Sequence, residues 1–408
     1  MLSSKKIVAF ALTIIVLPVI TVLVAGIARS HYLPTAYLPG SGLESANTVA
    51  VPIATGNGIS MVITEDGSLW SWGWNNKGQL GDGTDIDQHY PVKIMEDMVA
   101  VSLNVGDIMF SRVSNTLIAT LTSDGTLLTW GVDIRDKDFG IPFDSDGPRS
   151  FRYLSTPLEV MKNVSSFSAG SGHLMAITSD NTLWGMGVGA HRRAGIDFEH
   201  SPEPIQVMEN VVAVSTGSEH TLAITSCGVL WAMGNNSSGQ LGVAESPPAL
   251  SFVPIRVMDD AVAVSAGSYY STAITSDGIL WAWGFNWFGQ LGNGTTQNSH
   301  FPIKIMDDMI AVSAARNHTM AIRSDGTLWA WGLNESGQLG DGTTENRYSP
   351  VQIMYDVVYV SAGNSHTMAV TSDGVLWAWG RNSIGSLGDG TTEDRHTPVR
   401  IMDGVKLP

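Results

Sequence analysis

The stretch from Val357 to Gly404 reads VVYVSAGNSHTMAVTSDGVLWAWGRNSIGSLGDGTTEDRHTPVRIMDG. Short runs of β-branched, aliphatic and aromatic residues alternate in it with Gly, Asp, Asn and Ser. Asp373-Gly374 stands between two of these runs and is the pair that favours a tight hairpin. The stretch therefore predicts a small antiparallel sheet of four strands.

Six earlier segments repeat this pattern, at spacings of 47 to 58 residues. The position of Asp373 recurs as Asp66, Asp124, Asp180, Cys227, Asp277 and Asp325, and a second marker, a Pro that opens the last strand, recurs at Pro91, Pro157, Pro204, Pro254, Pro302, Pro350 and Pro398. Units of this size are typical of propeller blades, because one blade cannot bury both of its faces alone. We predict an all-β fold, a seven-bladed β-propeller of four-stranded blades, over residues 48–408.

The residue pattern within each unit predicts how the blades pack. In the last strand the third position is always polar between apolar neighbours: Lys93, Glu159, Gln206, Arg256, Lys304, Gln352 and Arg400. That alternation and the opening Pro favour an edge strand. Paired Trp residues, such as Trp377 and Trp379, share one face of a strand and predict an interblade contact, with a carbohydrate-binding aromatic strip as the alternative. The following Gly-Gln-Leu-Gly-Asp-Gly-Thr segment is interpreted as a blade connection.

The N-terminal segment predicts a membrane anchor. Ile7 to Ile27 is an uncharged apolar run, long enough to cross a bilayer as a helix, and Lys5 and Lys6 precede it. We therefore expect a cytoplasmic stub over residues 1–6, a transmembrane signal-anchor helix over 7–27, a linker over 28–47 and a propeller outside the cytoplasm. A cleaved signal peptide, which would release a secreted propeller, is the alternative.

Charge and cysteine content restrict the partners. The chain has 22 Lys and Arg against 38 Asp and Glu, a net charge of −16. An acidic protein is a poor match for nucleic-acid phosphates or an anionic lipid surface, so no nucleic-acid partner is expected. Cys227 is the only cysteine, which rules out an intrachain disulfide.

No metal site, cofactor or catalytic motif is predicted. The histidines at one equivalent position, His173, His220, His318 and His366, are spread one per blade, so they are expected to be hydrogen-bonded structural residues and not zinc ligands. An acidic loop over residues 132–155 contains Asp133, Asp136, Asp138, Asp144 and Asp146. Its spacing fails the calcium-loop pattern, which favours a solvated loop over a Ca²⁺ site.

The repeats resemble those of the regulator of chromosome condensation family. That likeness is carried by an aliphatic residue, two small residues, Gly, two variable residues and His, as in Val214 to Ile224, Phe167 to Ile177 and Val360 to Val370; Val312 to Ile322 departs in having Ala315 for the Gly. It implies a seven-bladed propeller, here in a membrane-anchored, bacterial member. The founding members look like exchange factors for a small GTPase that also bind chromatin, and secreted propellers of the same fold inhibit β-lactamases.

From these observations we expect an extracytoplasmic binding module for a protein or glycan ligand. An exchange-factor-like scaffold for a small GTPase is one alternative, and an extracytoplasmic enzyme with an unrecognised active site is another. The fifth unit departs most from the repeat, and residues that depart from it are candidates for a local binding site. The candidate binding residues are Tyr269, Tyr270, Phe285, Trp287 and Phe288, with Trp74 in the first unit.

Overall fold

The chain folds into seven antiparallel sheets of four strands. Its computed structural model describes residues 51–104, 116–136, 152–188, 200–243 and 250–407. In each sheet the strands are hydrogen-bonded in chain order, so each sheet corresponds to one repeat of the sequence. The predicted all-β fold of seven four-stranded blades is confirmed. The predicted anchor helix over 7–27, with its stub and linker, lies outside the described residues.

The strands are numbered in chain order. Blade 1 comprises β1 (Ile53–Thr55), β2 (Ile59–Ile63), β3 (Leu69–Gly73) and β4 (Gln88–Met95); blade 2, β5 (Met98–Leu103), β6 (Leu117–Thr122), β7 (Leu127–Val132) and β8 (Tyr153–Met161); blade 3, β9 (Val164–Ala169), β10 (His173–Thr178), β11 (Leu183–Val188) and β12 (His200–Met208); blade 4, β13 (Val211–Thr216), β14 (His220–Thr225), β15 (Leu230–Asn235) and β16 (Leu250–Met258); blade 5, β17 (Ala261–Ala266), β18 (Tyr270–Thr275), β19 (Leu280–Gly284) and β20 (Ser299–Met306); blade 6, β21 (Met309–Ala314), β22 (His318–Arg323), β23 (Leu328–Gly332) and β24 (Arg347–Met354); blade 7, β25 (Val357–Ala362), β26 (His366–Thr371), β27 (Leu376–Gly380) and β28 (Arg395–Met402).

The first strands of the blades form the inner ring of the propeller. Each contacts the first strand of the next blade, and β25 contacts β1. The serine of the Val-x-Val-Ser segment joins neighbouring blades: the Oγ of Ser313 accepts a hydrogen bond from the backbone N–H of Ala362, and the Oγ of Ser361 accepts one from the N–H of Thr55, each at 3.0 Å. The repeated serine therefore has a structural role.

The hydrophobic core is divided among the junctions between blades. The second strands are buried along nearly their whole length, as in β14 and β18, because each is covered on both faces by neighbouring blades. At the junction of blades 7 and 1, for example, Met368 and Val370 pack with Ile53 and Trp72. Each blade is thus stabilised by its neighbours and not by a core of its own.

The fourth strand lies at the edge of every sheet, as the sequence predicts. The polar third-position residues, from Lys93 in blade 1 to Arg400 in blade 7, are exposed between half-buried apolar neighbours. In blade 1 the register shifts between the pairs Leu69–Met95 and Trp70–Lys93, and the other blades show the same bulge. The alternation of the sequence therefore predicted this strand correctly, whereas the bulge was not predicted.

The Asp-Gly turns close the hairpins between second and third strands. In blade 1 the Oδ1 of Asp66 accepts hydrogen bonds from the Oγ1 of Thr64 at 2.6 Å and the N–H of Ser68 at 3.0 Å. These bonds, the one from the Thr64 hydroxyl first, lower the pKa of Asp66 to about 2. Cys227 replaces this aspartate in blade 4, is exposed, and keeps a contact with Thr225 at 3.3 Å.

The turns that link one blade to the next need a left-handed backbone conformation. They use the residue types that tolerate it best after glycine, with φ between 58° and 68° at Asp97, Asn163, Asn210, Asp260, Asp308 and Asp356. The polar character of these turns is therefore a local backbone requirement. It does not mark a ligand site.

The C-terminal residues complete the ring on blade 1. Val405 forms an antiparallel β-bridge with Thr64. The N–H of Lys406 donates to the carbonyl of Ile63 at 3.0 Å, and the N–H of Glu65 donates to the carbonyl of Gly404 at 2.9 Å. Blade 7 and the tail that follows it thus close the propeller against blade 1. The sequence did not predict how the ring closes.

Candidate ligand-binding surface

Two kinds of turn share one end of each blade. Because the four strands alternate in direction, the turn between the first and second strands lies at the same end as the loop between the third and fourth. We call this end the loop face. All of the candidate binding residues except Tyr270 are in these turns and loops, since Tyr270 is the first residue of β18.

An asparagine organises the loop between the third and fourth strands. In blade 6 the Nδ2 of Asn334 donates to Asp341 at 3.0 Å and to the carbonyl of Thr343 at 3.1 Å, while its Oδ1 accepts from the N–H of Leu339 at 2.9 Å. The equivalent residues Asn75, Asn286 and Asn382 make the same bonds. The sequence analysis missed this role, although an asparagine two residues after the Trp-Gly pair is a visible signal.

The same loop joins two strands of its own blade and packs on the following blade. The carbonyl of Gln338 in blade 6 accepts hydrogen bonds from the Nε1 of Trp379 and the Oγ1 of Thr367 in blade 7, both at 2.9 Å. Trp283, Trp331 and Trp72 make the equivalent bond to the preceding blade. The second Trp of each pair is buried at the blade junction, as predicted. The first Trp of each pair is half-buried. In blade 7, for example, the indole N–H of Trp377 donates to the Oγ1 of Thr371 at 3.3 Å.

The histidines also connect neighbouring blades. The Nε2 of His220 lies 2.9 Å from the Oγ of Ser271, and the Nε2 of His318 lies 3.0 Å from the Oγ1 of Thr367. Burial lowers the pKa of His220 and of His318 to about 3, so both are neutral at physiological pH. The prediction of hydrogen-bonded structural histidines is confirmed.

The structure brings four of the candidate residues together in an aromatic cluster on blade 5. The ring of Phe285 lies at its centre, with centroid distances of 6.4 Å to Tyr269, 5.3 Å to Trp287 and 6.3 Å to Phe288. Trp287 is 71% exposed and the other three rings are half-buried. We use "blade 5 cluster" for these four residues.

Tyr270 does not fit the expectation of exposure. It is fully buried in the position that histidine occupies in blades 3, 4, 6 and 7. Its hydroxyl donates to the carbonyl of His318 at 2.6 Å and lies 2.8 Å from the Oγ1 of Thr319, so it joins blades 5 and 6 as the histidines join others. Tyr270 is therefore a core residue, because its side chain reaches the next blade as the histidine at this position does in other blades.

Trp74 and Tyr348 are two further aromatic residues on this face. Trp74 occupies the position of Phe285 in blade 1, is half-buried and packs against the core of blades 1 and 2. Tyr348 of blade 6 is 45% exposed, and its ring lies against Gly289, which directly follows Phe288. Sequence reasoning missed Tyr348, although it stands where other blades have histidine.

The blade 5 loop differs from its counterparts in charge as well as in aromatic content. Residues 285–299, FNWFGQLGNGTTQNS, contain no charged residue. The corresponding segment of blade 4, residues 235–251, has one charged residue, Glu245. Those of the other blades with the glycine motif have more: Lys77, Asp82, Asp85 and Asp87 in blade 1, Glu335, Asp341, Glu345 and Arg347 in blade 6, and Arg381, Asp389, Glu393, Asp394 and Arg395 in blade 7. In an acidic protein this is a local, neutral and aromatic surface.

The aromatic residues leave a buried polar group without a partner. Gln290 is fully buried, and its Oε1 accepts from the N–H of Phe288 at 3.0 Å. Its Nε2 has no hydrogen-bond partner within the described part of the chain. In blade 4 the equivalent Gln240 donates to the Oδ1 of Asn235 at 3.3 Å, and Phe285 occupies the position of Asn235 in blade 5. Phe285 thus stands where blade 4 has an acceptor and where blades 1 and 6 have the apolar residues Trp74 and Leu333.

The remaining sequence candidates lie mostly outside the described ranges. Residues 137–151 of the acidic loop are among these, while Asp133 is buried and its carboxylate lies 3.3 Å from Arg135 and 3.7 Å from Arg152. Over the described ranges, no group of three or more His, Cys, Asp or Glu is placed to hold a metal ion. Nor does any helix there have the length and apolar character of a membrane span.

Comparison with known proteins points to one family. Residues 28–317 and 199–407 match the family model described as RCC1-like domain. The E3 ubiquitin-protein ligase HERC2 of Homo sapiens is 28% identical over 148 residues, 36% of this chain and 3% of that protein. The ultraviolet-B receptor UVR8 of Arabidopsis thaliana is 30% identical over 148 residues, 35% of this chain and 30% of that protein. The crystal structure of Prp20p from Saccharomyces cerevisiae aligns with a TM-score of 0.69 at 19% identity and covers 86% of both chains.

Proposed function

Because the chain belongs to the RCC1-like domain family, we propose that it is a non-catalytic interaction module whose ligand binds to the blade 5 cluster. The curated relatives match over only part of their lengths, 3% for HERC2 and 30% for UVR8, so their whole activities are not transferred. The proposal is supported by the family fold together with one surface, the blade 5 cluster, whose residues depart from the repeat.

The observation that carries the proposal is that blade 5 departs from the repeat where packing does not require it. Trp287 projects into solvent beside Phe285, at a position where blades 1, 4, 6 and 7 have the polar residues Asn76, Ser237, Glu335 and Ser383. Exposed, clustered aromatic residues are the types that dominate binding energy in interfaces. An exposed aromatic departure from the repeat is better explained by ligand binding than by folding.

The test replaces the cluster by the residues of blade 4. The variant Phe285→Asn, Trp287→Ser and Phe288→Ser, called the loop variant, restores the sequence of residues 235, 237 and 238. Full-length protein and the loop variant are used to capture molecules from cell-envelope extracts. We expect the loop variant to lose the molecules that wild type retains and to keep its melting temperature.

A matched control separates this effect from general damage to the loop face. The variant Leu333→Asn and Glu335→Ser makes the corresponding change in blade 6 and should retain capture. Equal loss of capture in both variants, or no loss of capture in the loop variant, would contradict the proposal.

We also propose that the chain is anchored by residues 7–27 with the propeller outside the cytoplasm. The support is the uncharged run together with Lys5 and Lys6. Protease added to intact spheroplasts should digest the propeller. Protection until the membrane is lysed would contradict this topology.

The second candidate is an exchange-factor-like scaffold for a small GTPase. The match to the RCC1-like domain family favours it, and the structure of one protein with this fold, Prp20p, is described with its binding properties to Gsp1p and histones. At 19% identity this likeness shows the fold alone. Protease protection of the propeller in spheroplasts would favour this candidate, since the propeller would then share a compartment with such GTPases.

A further inference from the structure

The net charge of the protein and the lack of charge in the blade 5 loop restrict the kind of ligand that the blade 5 cluster can take. The protein carries a net charge of −16, which disfavours an anionic ligand, and the acidic residues that would meet a cation are absent from residues 285–299. Asn293 and Asn298 stand where blade 7 has Asp389 and Asp394. The loop therefore presents an uncharged polar surface.

The two asparagines keep the loop structure and turn hydrogen-bond donors outward. The Oδ1 of Asn293 accepts from the Nδ2 of Asn286 at 3.2 Å and from the backbone N–H of Thr295 at 3.1 Å. The Oδ1 of Asn298 accepts from the backbone N–H of Asn286 at 2.9 Å. With both oxygens used inside the loop, both exposed side chains present their Nδ2 groups to solvent.

These donors belong to the same loop as the aromatic rings. Asn286, which bonds to both asparagines, is the residue between Phe285 and Trp287. The equivalent aspartates in blade 7 can only accept hydrogen bonds. The Oδ2 of Asp389, for example, accepts one from the Nε of Arg395 at 2.8 Å. The blade 5 loop thus differs from that of blade 7 by having aromatic rings, amide donors and no charge.

We infer that the ligand of the blade 5 cluster is a neutral glycan, an inference that rests on the proposed binding function of this surface. The apolar C–H face of a sugar ring matches the exposed ring of Trp287, and sugar hydroxyl oxygens match the outward amides of Asn293 and Asn298. The indole of Trp287 is 71% exposed, the kind of surface on which a flat ring can stack.

The direct test is affinity electrophoresis of the full chain in gels that contain a polysaccharide. The chain is purified in a detergent without a sugar head group, because such a head group would compete for the site. The neutral probes are laminarin, mannan and hydroxyethyl cellulose, and the acidic probe is polygalacturonate. We expect at least one neutral polysaccharide to retard wild type and polygalacturonate not to.

Two variants test the chemistry of the site. The loop variant removes the rings, and Asn293→Asp with Asn298→Asp exchanges the outward donors for carboxylate oxygens while it keeps the acceptors of the loop. Each should weaken binding to the retarding polysaccharide at least tenfold, with an unchanged melting temperature. The matched change in blade 7, Asp389→Asn with Asp394→Asn, should leave the retardation unchanged.

The possible failures are distinct. If wild type binds none of the neutral probes but captures a protein that the loop variant does not, the glycan inference is wrong and the proposed binding function stands. Retardation by polygalacturonate that equals retardation by the neutral probes also contradicts the inference. If neither glycan binding nor protein capture depends on the blade 5 cluster, both fail.

Discussion

The Nε2 of His366 lies 2.9 Å from the Oγ of Ser60, across the junction of blades 7 and 1 and 306 residues away in the chain. The same Ser60 hydroxyl donates to the carbonyl of Ser386 at 2.7 Å. Ser271 repeats both bonds at the junction of blades 4 and 5, at 2.9 Å to His220 and 2.7 Å to the carbonyl of Gln240. The junction that closes the ring is therefore built like an internal one.

This equivalence predicts the effect of removing the serine. Ser60→Ala should lower the free energy of unfolding by about 1–3 kcal/mol, because it leaves the buried ring of His366 and the carbonyl of Ser386 without that partner. Ser271→Ala is the matched control and should cost a similar amount in urea unfolding. If Ser60→Ala has no effect while Ser271→Ala does, the ring is not closed at this junction.

Acid should destabilise the propeller through its buried histidines. Burial lowers the pKa of His220 and His318 to about 3 and that of His366 to about 4. Between pH 6.5 and these values the unfolded chain binds more protons than the folded one, so stability falls as pH falls. Each histidine lowers the free energy of unfolding by up to about 1.4 kcal/mol for every pH unit of acidification in this window.

Chemical denaturation at pH 6.0, 5.0 and 4.5 measures how the free energy of unfolding depends on pH. The variant His318→Gln should reduce the slope of this dependence by the contribution of one proton. Asp66, with a pKa lowered to about 2, loses its own contribution only below about pH 4, so its effect is separable. A slope that His318→Gln leaves unchanged would mean that this histidine can be protonated within the fold.

The buried tryptophans should carry much of the stability of the junctions. Trp379→Ala removes a fully buried ring and its hydrogen bond to Gln338, and should cost about 3–5 kcal/mol. Trp377→Ala, at the half-buried position of the same strand, should cost less. If the two variants unfold at the same denaturant concentration, the assignment of Trp379 to the blade junction is wrong.

Phe285→Asn should separate folding from binding. The asparagine can accept from the Nε2 of Gln290, as Asn235 does from Gln240 in blade 4. This hydrogen bond should offset the lost ring contacts, so that the free energy of unfolding changes by less than about 1 kcal/mol. Ligand binding should still weaken, because Phe285 holds the other three rings. A large loss of stability would assign Phe285 to the core.

The repeat made the fold predictable, whereas contacts between distant residues did not follow from it. Seven copies of one pattern specify the blades, and the alternation around Lys93 specifies the edge strand. Tyr270 looked like part of a surface because it breaks a column of histidines, but it reaches His318 in the next blade and is buried. Tyr348 was missed because its proximity to Gly289 depends on how two blades meet.

Site-specific photocrosslinking tests the central claim, that the ligand contacts the blade 5 cluster, most directly. Benzoylphenylalanine at position 287 inserts into C–H bonds of a protein or a glycan, and position 335 of blade 6 is the equivalent control. After irradiation of intact cells, the account predicts a discrete crosslinked product from position 287 and none from position 335. The same products from both positions, or none from position 287, would contradict it.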